Sequence, residues 1–207
     1  MLTSIFIQCT FAIPQSLSSG SGISAVSEDL ASTLKKKPYG DRLAANKAQA
    51  LKDLKGLGAS SQEIAVIFGV AMTETNHFSA VEALEQQASN VKTGESINYG
   101  FLNLNKDAIT SVDPGVQLDS LNVDTPTAMQ SSLKIAHQLI SAHGINGFLN
   151  FNRGGRTGLD STGKTPDCGI HDCQGYRNNV DARANLILGD STLLSSEIRL
   201  ESHVAPK

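Results

Sequence analysis

The chain has 207 residues, 40% of them hydrophobic and 18% charged, with a net charge of −3, which suits one domain with a substantial core. That balance excludes the basic face that nucleic acid or an anionic membrane would call for, and no run approaches the ~20 apolar residues of a membrane span. Aromatic residues make up 5% and there is no Trp, so any sugar subsite must do without an indole to stack on.

Residues 1–14 form an apolar stretch, followed by Gln-Ser-Leu-Ser-Ser-Gly-Ser-Gly. Together they read as a secretory h-region, a small-residue cleavage zone and a Ser/Gly linker over 1–21, although no Lys or Arg precedes the stretch; the other reading is an N-terminal tail. A single domain then spans 22–207. Residues 22–36 place Ile23, Val26, Leu30 and Leu34 at helical steps, and the spacing predicts a helix ending in the solvated run Lys35-Lys36-Lys37. A second helix is expected over 41–55, with Leu43, Ala44, Ala48, Leu51 and Leu54 on its buried face. Ser60-Ser-Gln-Glu63 is a capping box, and the helix it opens is apolar all round from Ile64 to Met72, the pattern of a central buried helix that runs to Glu74. A weaker helix covers 79–88. Ile97, Tyr99 and Phe101 alternate with polar or small residues, which suits a short hairpin or an irregular loop. Pro126 opens a long helix that Gly144 closes; a polar, Gly-rich segment follows over 152–175, then a helix from Tyr176 to Leu188. The fold class is mainly α (α+β).

With a leader removed, Cys168 and Cys173 remain in Cys-Gly-Ile-His-Asp-Cys. An even pair in a Gly-containing loop reads as a local disulfide of a secreted protein. The competing reading is a metal site made with His171 and Asp172, but six residues rarely supply a tetrahedral shell and there is no second Cys/His cluster to complete it. No metal is expected. No cofactor is expected either, because neither a phosphate-binding nor a dinucleotide fingerprint occurs.

Glu74 closes the buried helix and is followed by Asn76 and His77. A second polar cluster supplies Asn98, Tyr99, Asn103 and Asn105, and Arg153 lies beside glycines that leave the backbone open to a ligand. A carboxyl at the exit of a buried helix, facing amides, is the arrangement of a general acid beside a sugar. The plain alternative is a solvated helix end with amides that cap turns. A glycosidase also needs a second carboxylate. Glu82 and Glu85 fit the exposed face of a short helix and are expected to be solvated, which leaves Glu95 as the best-placed candidate. His137 and His143 are expected to be structural.

Thr73-Glu74-Thr-Asn-His, Lys92-Thr-Gly-Glu-Ser-Ile-Asn98-Tyr-Gly-Phe-Leu-Asn-Leu-Asn105, Phe151-Asn-Arg-Gly-Gly-Arg-Thr-Gly-Leu159, Tyr176-Arg-Asn-Asn-Val180 and Glu197-Ile-Arg-Leu-Glu-Ser-His-Val204 occur in this order. The set resembles glycoside hydrolase family 134, secreted β-1,4-mannanases with a lysozyme-like fold and an inverting mechanism. The resemblance covers roughly residues 22 to 204. It implies Glu74 as general acid, with Asn76, His77, Asn90, Lys92, Asn98, Tyr99, Asn103, Asn105 and Arg153 toward a mannan-type substrate. The family's base is an Asp that opens the Lys-Thr-Gly loop; Asn90 stands there, so the base role passes to Glu95. A catalytically impaired relative that binds glycan or acts as an effector is the second reading. A peptidoglycan-cleaving lysozyme or transglycosylase is the third. A monomer with no nucleic-acid or membrane partner is expected.

Overall fold

The computed structural model describes residues 30–89, 97–160 and 173–201. The expected leader and linker at 1–21 lie outside the described residues. After a helical turn at 30–33 come β1 (Lys35–Pro38), α1 (Asp41–Gly56), α2 (Ser61–Glu74), α3 (Ala80–Ser89), β2 (Asn98–Tyr99), β3 (Leu104–Asn105) and α4 (Lys106–Val112). A 3-10 turn at Leu118–Leu121 leads into α5 (Pro126–Asp160), then α6 (Cys173–Gly189), a second 3-10 turn at Ser191–Leu194, and β4 (Ile198–Glu201). The described fold is mainly α with two small antiparallel sheets, β1–β4 and β2–β3.

The capping box sets the start of α2. Glu63 N donates to Ser60 Oγ at 3.2 Å, and Ser60 N donates to the Glu63 carboxylate at 2.7 Å, which satisfies two of the donors a helix start leaves open. Every residue from Ile64 to Met72 is buried, so α2 is the hydrophobic axis of the fold. It lies closest to α6: a Cβ on Gly69 would stand 2.8 Å from the Val180 carbonyl oxygen. Only a residue without a side chain lets the two backbones meet there. No described helix is long and apolar enough to cross a membrane.

Several local expectations change. Residues 34–36 do not continue a helix: Lys35–Pro38 is a strand paired antiparallel with Ile198–Glu201, with Lys36 opposite Leu200 and Lys37 opposite Arg199. Pro38 disfavours helical backbone at Lys37, and the lysines project from an exposed strand, where Lys36 meets Asp190 at 2.8 Å. The buried face of α1 is Leu43, Lys47, Ala50 and Leu54, while Ala48 is exposed. Gly144 does break its helix, with φ 70 and ψ 171, but helix resumes and reaches Asp160 with a second break at Gly155. The polar segment expected from 152 is therefore helical at its start. The last long helix begins at Cys173, three residues earlier than expected.

Candidate functional site

Glu74 ends α2 half-buried, and its surroundings come from four separate parts of the chain. The first is the β2–β3 hairpin. Its turn runs from Gly100 to Asn103, closed by Asn103 N donating to Gly100 O at 3.0 Å. It needs left-handed backbone at both ends, φ 70 at Gly100 and φ 53 at Asn103. Asn is among the few residues with a side chain that tolerate that region. Gly100 N is anchored by Asn122 Oδ1 at 2.9 Å. Held in this way, Asn103 Nδ2 donates to Glu74 Oε2 at 2.7 Å. The Asn103 Oδ1 atom is buried and takes no hydrogen bond, so the same amide keeps one acceptor open.

The second part is Tyr176 on α6, 7% exposed, whose hydroxyl hydrogen-bonds the Glu74 carboxylate. Burial and then the Glu74 charge push the phenol well above its ordinary range, so Tyr176 stays a neutral donor at any working pH. The third is Asn152 on α5, 4% exposed. It accepts from Asn105 N at 3.1 Å and donates to the Tyr176 hydroxyl at 3.4 Å, joining hairpin, α5 and α6. The next residue, Arg153, is exposed, with its guanidinium 5.5 Å from the centre of the Tyr176 ring, a cation–π arrangement.

The fourth part is β4. Arg199 donates to the carbonyls of Met72 at 2.9 Å and Thr75 at 3.3 Å, placing a cation on carbonyls at the C-terminus of α2, where the helix dipole favours one. Behind it the buried Arg183 donates to Leu200 O at 3.1 Å. Burial, and then the proximity of Arg199, lower the Arg183 guanidinium to about 10. Glu74 is thus a carboxyl fixed by two directed donors, with guanidinium groups behind it and the exposed Arg153 stacked on the buried Tyr176 beside it. Such a group can exchange a proton with a ligand oxygen, or hold a hydroxyl, in one defined orientation.

The expected residues divide. Glu74 and Asn103 are in direct contact, and Asn105 and Arg153 join them through Asn152 and Tyr176. Asn105 also caps α4, its Oδ1 accepting from Asp107 N at 2.9 Å. Asn76 and His77 instead serve Glu82, which accepts from both backbone N–H groups at 3.1 Å and pairs with the His77 ring; that ring also lies edge-on to Tyr39. Glu82 is therefore not a solvated carboxylate, with 19% of its side chain exposed. It ties down the turn after Glu74, and Ser79-Ala-Val-Glu82 with Glu82 N on Ser79 Oγ at 3.2 Å is a second Ser-x-x-Glu signature. Glu85 is exposed as expected. Asn98 is held through its backbone by the Gln87 amide at 2.7 and 3.0 Å, and Tyr99 packs half-buried against the core. His137 faces Glu63 at 3.2 Å, and His143 lies edge-on to Phe151.

Asn90, Lys92, Glu95 and Cys168 lie outside the described residues. Cys173 is buried and disulfide-bonded. Sequence reasoning assigned no role to Tyr176, Asn152, Arg183 or Arg199, although three of the four stand inside the segments that carry the family resemblance. No protein-family model and no curated protein matches the chain.

Proposed function

We propose that the protein is a secreted, endo-acting glycoside hydrolase of the lysozyme-like kind, cleaving β-1,4-mannan or a related polysaccharide by acid/base catalysis with inversion. Glu74 protonates the glycosidic oxygen. Glu95 activates the attacking water from the opposite face, where a base stands ~6.5–9.5 Å from the acid in an inverting enzyme. Asn103 and Arg153 hold the sugar, and Cys168 and Cys173 form a disulfide, as in a secreted protein. The observation that supports this most is the pair of donors on Glu74, Asn103 at 2.7 Å and the Tyr176 hydroxyl, which hold a carboxyl in one orientation at the exit of a buried helix, as acid/base catalysis requires.

The test is reducing-end release from mannan by the wild type and by Glu74→Gln. The substitution keeps the shape and removes the transferable proton, so turnover should fall by at least about a hundredfold. Undiminished cleavage by Glu74→Gln would refute the assignment. Asn90, in the place of the resembled family's base, favours the second reading, a relative that binds glycan without cutting it; saturable binding of manno-oligosaccharides with no release of reducing ends would establish that instead.

A further inference from the structure

One concave feature owes nothing to Glu74 or its hydrogen-bonded neighbours. It is a pocket of about 290 Å³ between α1, the start of α3, the hairpin turn and the start of α5, at the small end of the range for ligand sites. Its apolar lining includes Phe78 and Phe101, stacked with centroids 5.7 Å apart and planes at 20°. Phe78 adopts φ 57, a conformation bulky residues avoid and which tends to persist at ligand clamps. Met129 also lines the pocket, a side chain that adapts to different shapes.

The polar part of the lining narrows the ligand class. Arg42 and Asp124 pair at 2.7 Å, and Asp124 also accepts from Ser79 Oγ and Ala80 N, each at 2.7 Å, so both charges are already answered. Asn46 spends one of its two amide N–H groups on His77 O at 2.7 Å, and Gln49 turns its amide nitrogen to both oxygens of Asp53 at 2.9 Å. What these amides have left to offer is their carbonyl oxygens, which only accept, beside the second N–H of Asn46. We propose that this pocket is a binding site for a neutral compound of one ring or two fused rings, about 7–10 heavy atoms, bearing one O–H or N–H donor. A charged ligand would compete with an ion pair already made, and a ligand without a donor would bury the amide oxygens unpaired.

Titration of the full chain with phenol and with indole, followed by NMR, tests this. Both probes should saturate in the millimolar range, as ligands of this size do, shifting the Met129 methyl and the Phe78 and Phe101 ring signals, with intermolecular NOEs from probe to Met129. Toluene, of similar shape without the donor, should bind at least about threefold more weakly. Ala45→Trp, at an exposed position on the lining, should weaken phenol at least about tenfold by occlusion, with far-UV circular dichroism checking its fold. Shifts that rise linearly without saturation, NOEs to other residues, or equal binding of toluene and phenol would each overturn the proposal. The NOE result on the wild type stands whether or not Ala45→Trp folds.

Discussion

Lys47 sits in the apolar face of α1 with no exposed surface, its ammonium donating to the carbonyls of Leu193, at 2.8 Å, and Ile198. Burial lowers it from the ordinary 10.5 to about 8. That gap corresponds to about 3 kcal/mol between the two protonation states. The folded value lies below the unfolded one, so from about pH 8 to 10.5 the unfolded chain holds more of the proton, and stability rises with pH across that window. Below about pH 8 both states are charged and the whole penalty is present. Integrated from pH 7 to pH 10, the gain is about 2 kcal/mol. The perturbation is Lys47→Met, which fills similar space and does not titrate. It removes the desolvation cost but leaves two carbonyls without a donor, each at about 1–3 kcal/mol, so at a single pH the two effects largely cancel. The pH dependence is the cleaner observable. Urea unfolding followed by far-UV circular dichroism, on both proteins at pH 7, 8, 9 and 10, should show the stability of wild type relative to Lys47→Met rising by about 2 kcal/mol. Other groups that titrate in this range, Arg183 among them, cancel in the difference. A flat or falling difference would refute the reasoning. The residue bears on the site because its carbonyl partners belong to the segment that leads into β4 and Arg199.

Two further predictions test the site and its frame. Tyr176→Phe removes one donor from Glu74 and keeps the buried ring; a hydrogen bond to a charged group is worth about 1.5–3 kcal/mol, so turnover on mannan should fall about 10–100-fold while KM changes little, and an unchanged kcat would show that the hydroxyl plays no part in orienting the acid. Gly69→Ala adds a Cβ that would lie 2.8 Å from Val180 O; overpacking of about 1–3 kcal/mol outweighs the gain of at most about 1 kcal/mol in helix propensity, so the urea midpoint should drop with an unchanged m-value, and a rise would mean that α2 and α6 part more easily than their packing implies.

What could be read from the sequence was local, and what escaped it was not. The capping box and the unbroken apolar run placed α2 and brought Glu74 to its end, because both signals lie within one helix. The alternation at Ile97, Tyr99 and Phe101 located the hairpin for the same reason. Lys47 has no local signal of burial, because a lysine ordinarily marks a solvated face and the carbonyls that hold it lie 146 and 151 residues away. Residues 35–37 read locally as a helix end because what makes them a strand is β4, at the other end of the described chain. Asn152 and Tyr176 were in view as residues, but their meeting at 3.4 Å across 24 positions is a property of how α5 and α6 pack. One long-range feature did have a local trace. α2 has no basic residue in its last turn, yet a helix end that leaves the core must still satisfy its last carbonyls. With no lysine or arginine of its own, α2 needs a donor from elsewhere, and Arg199 of β4 supplies it at Met72 and Thr75, one on either side of Glu74. The candidate acid is therefore held from both directions by distant chain, the hairpin amide on its carboxylate and the β4 guanidinium on the backbone around it. A substitution that loosens β4 should reach Glu74 without touching it.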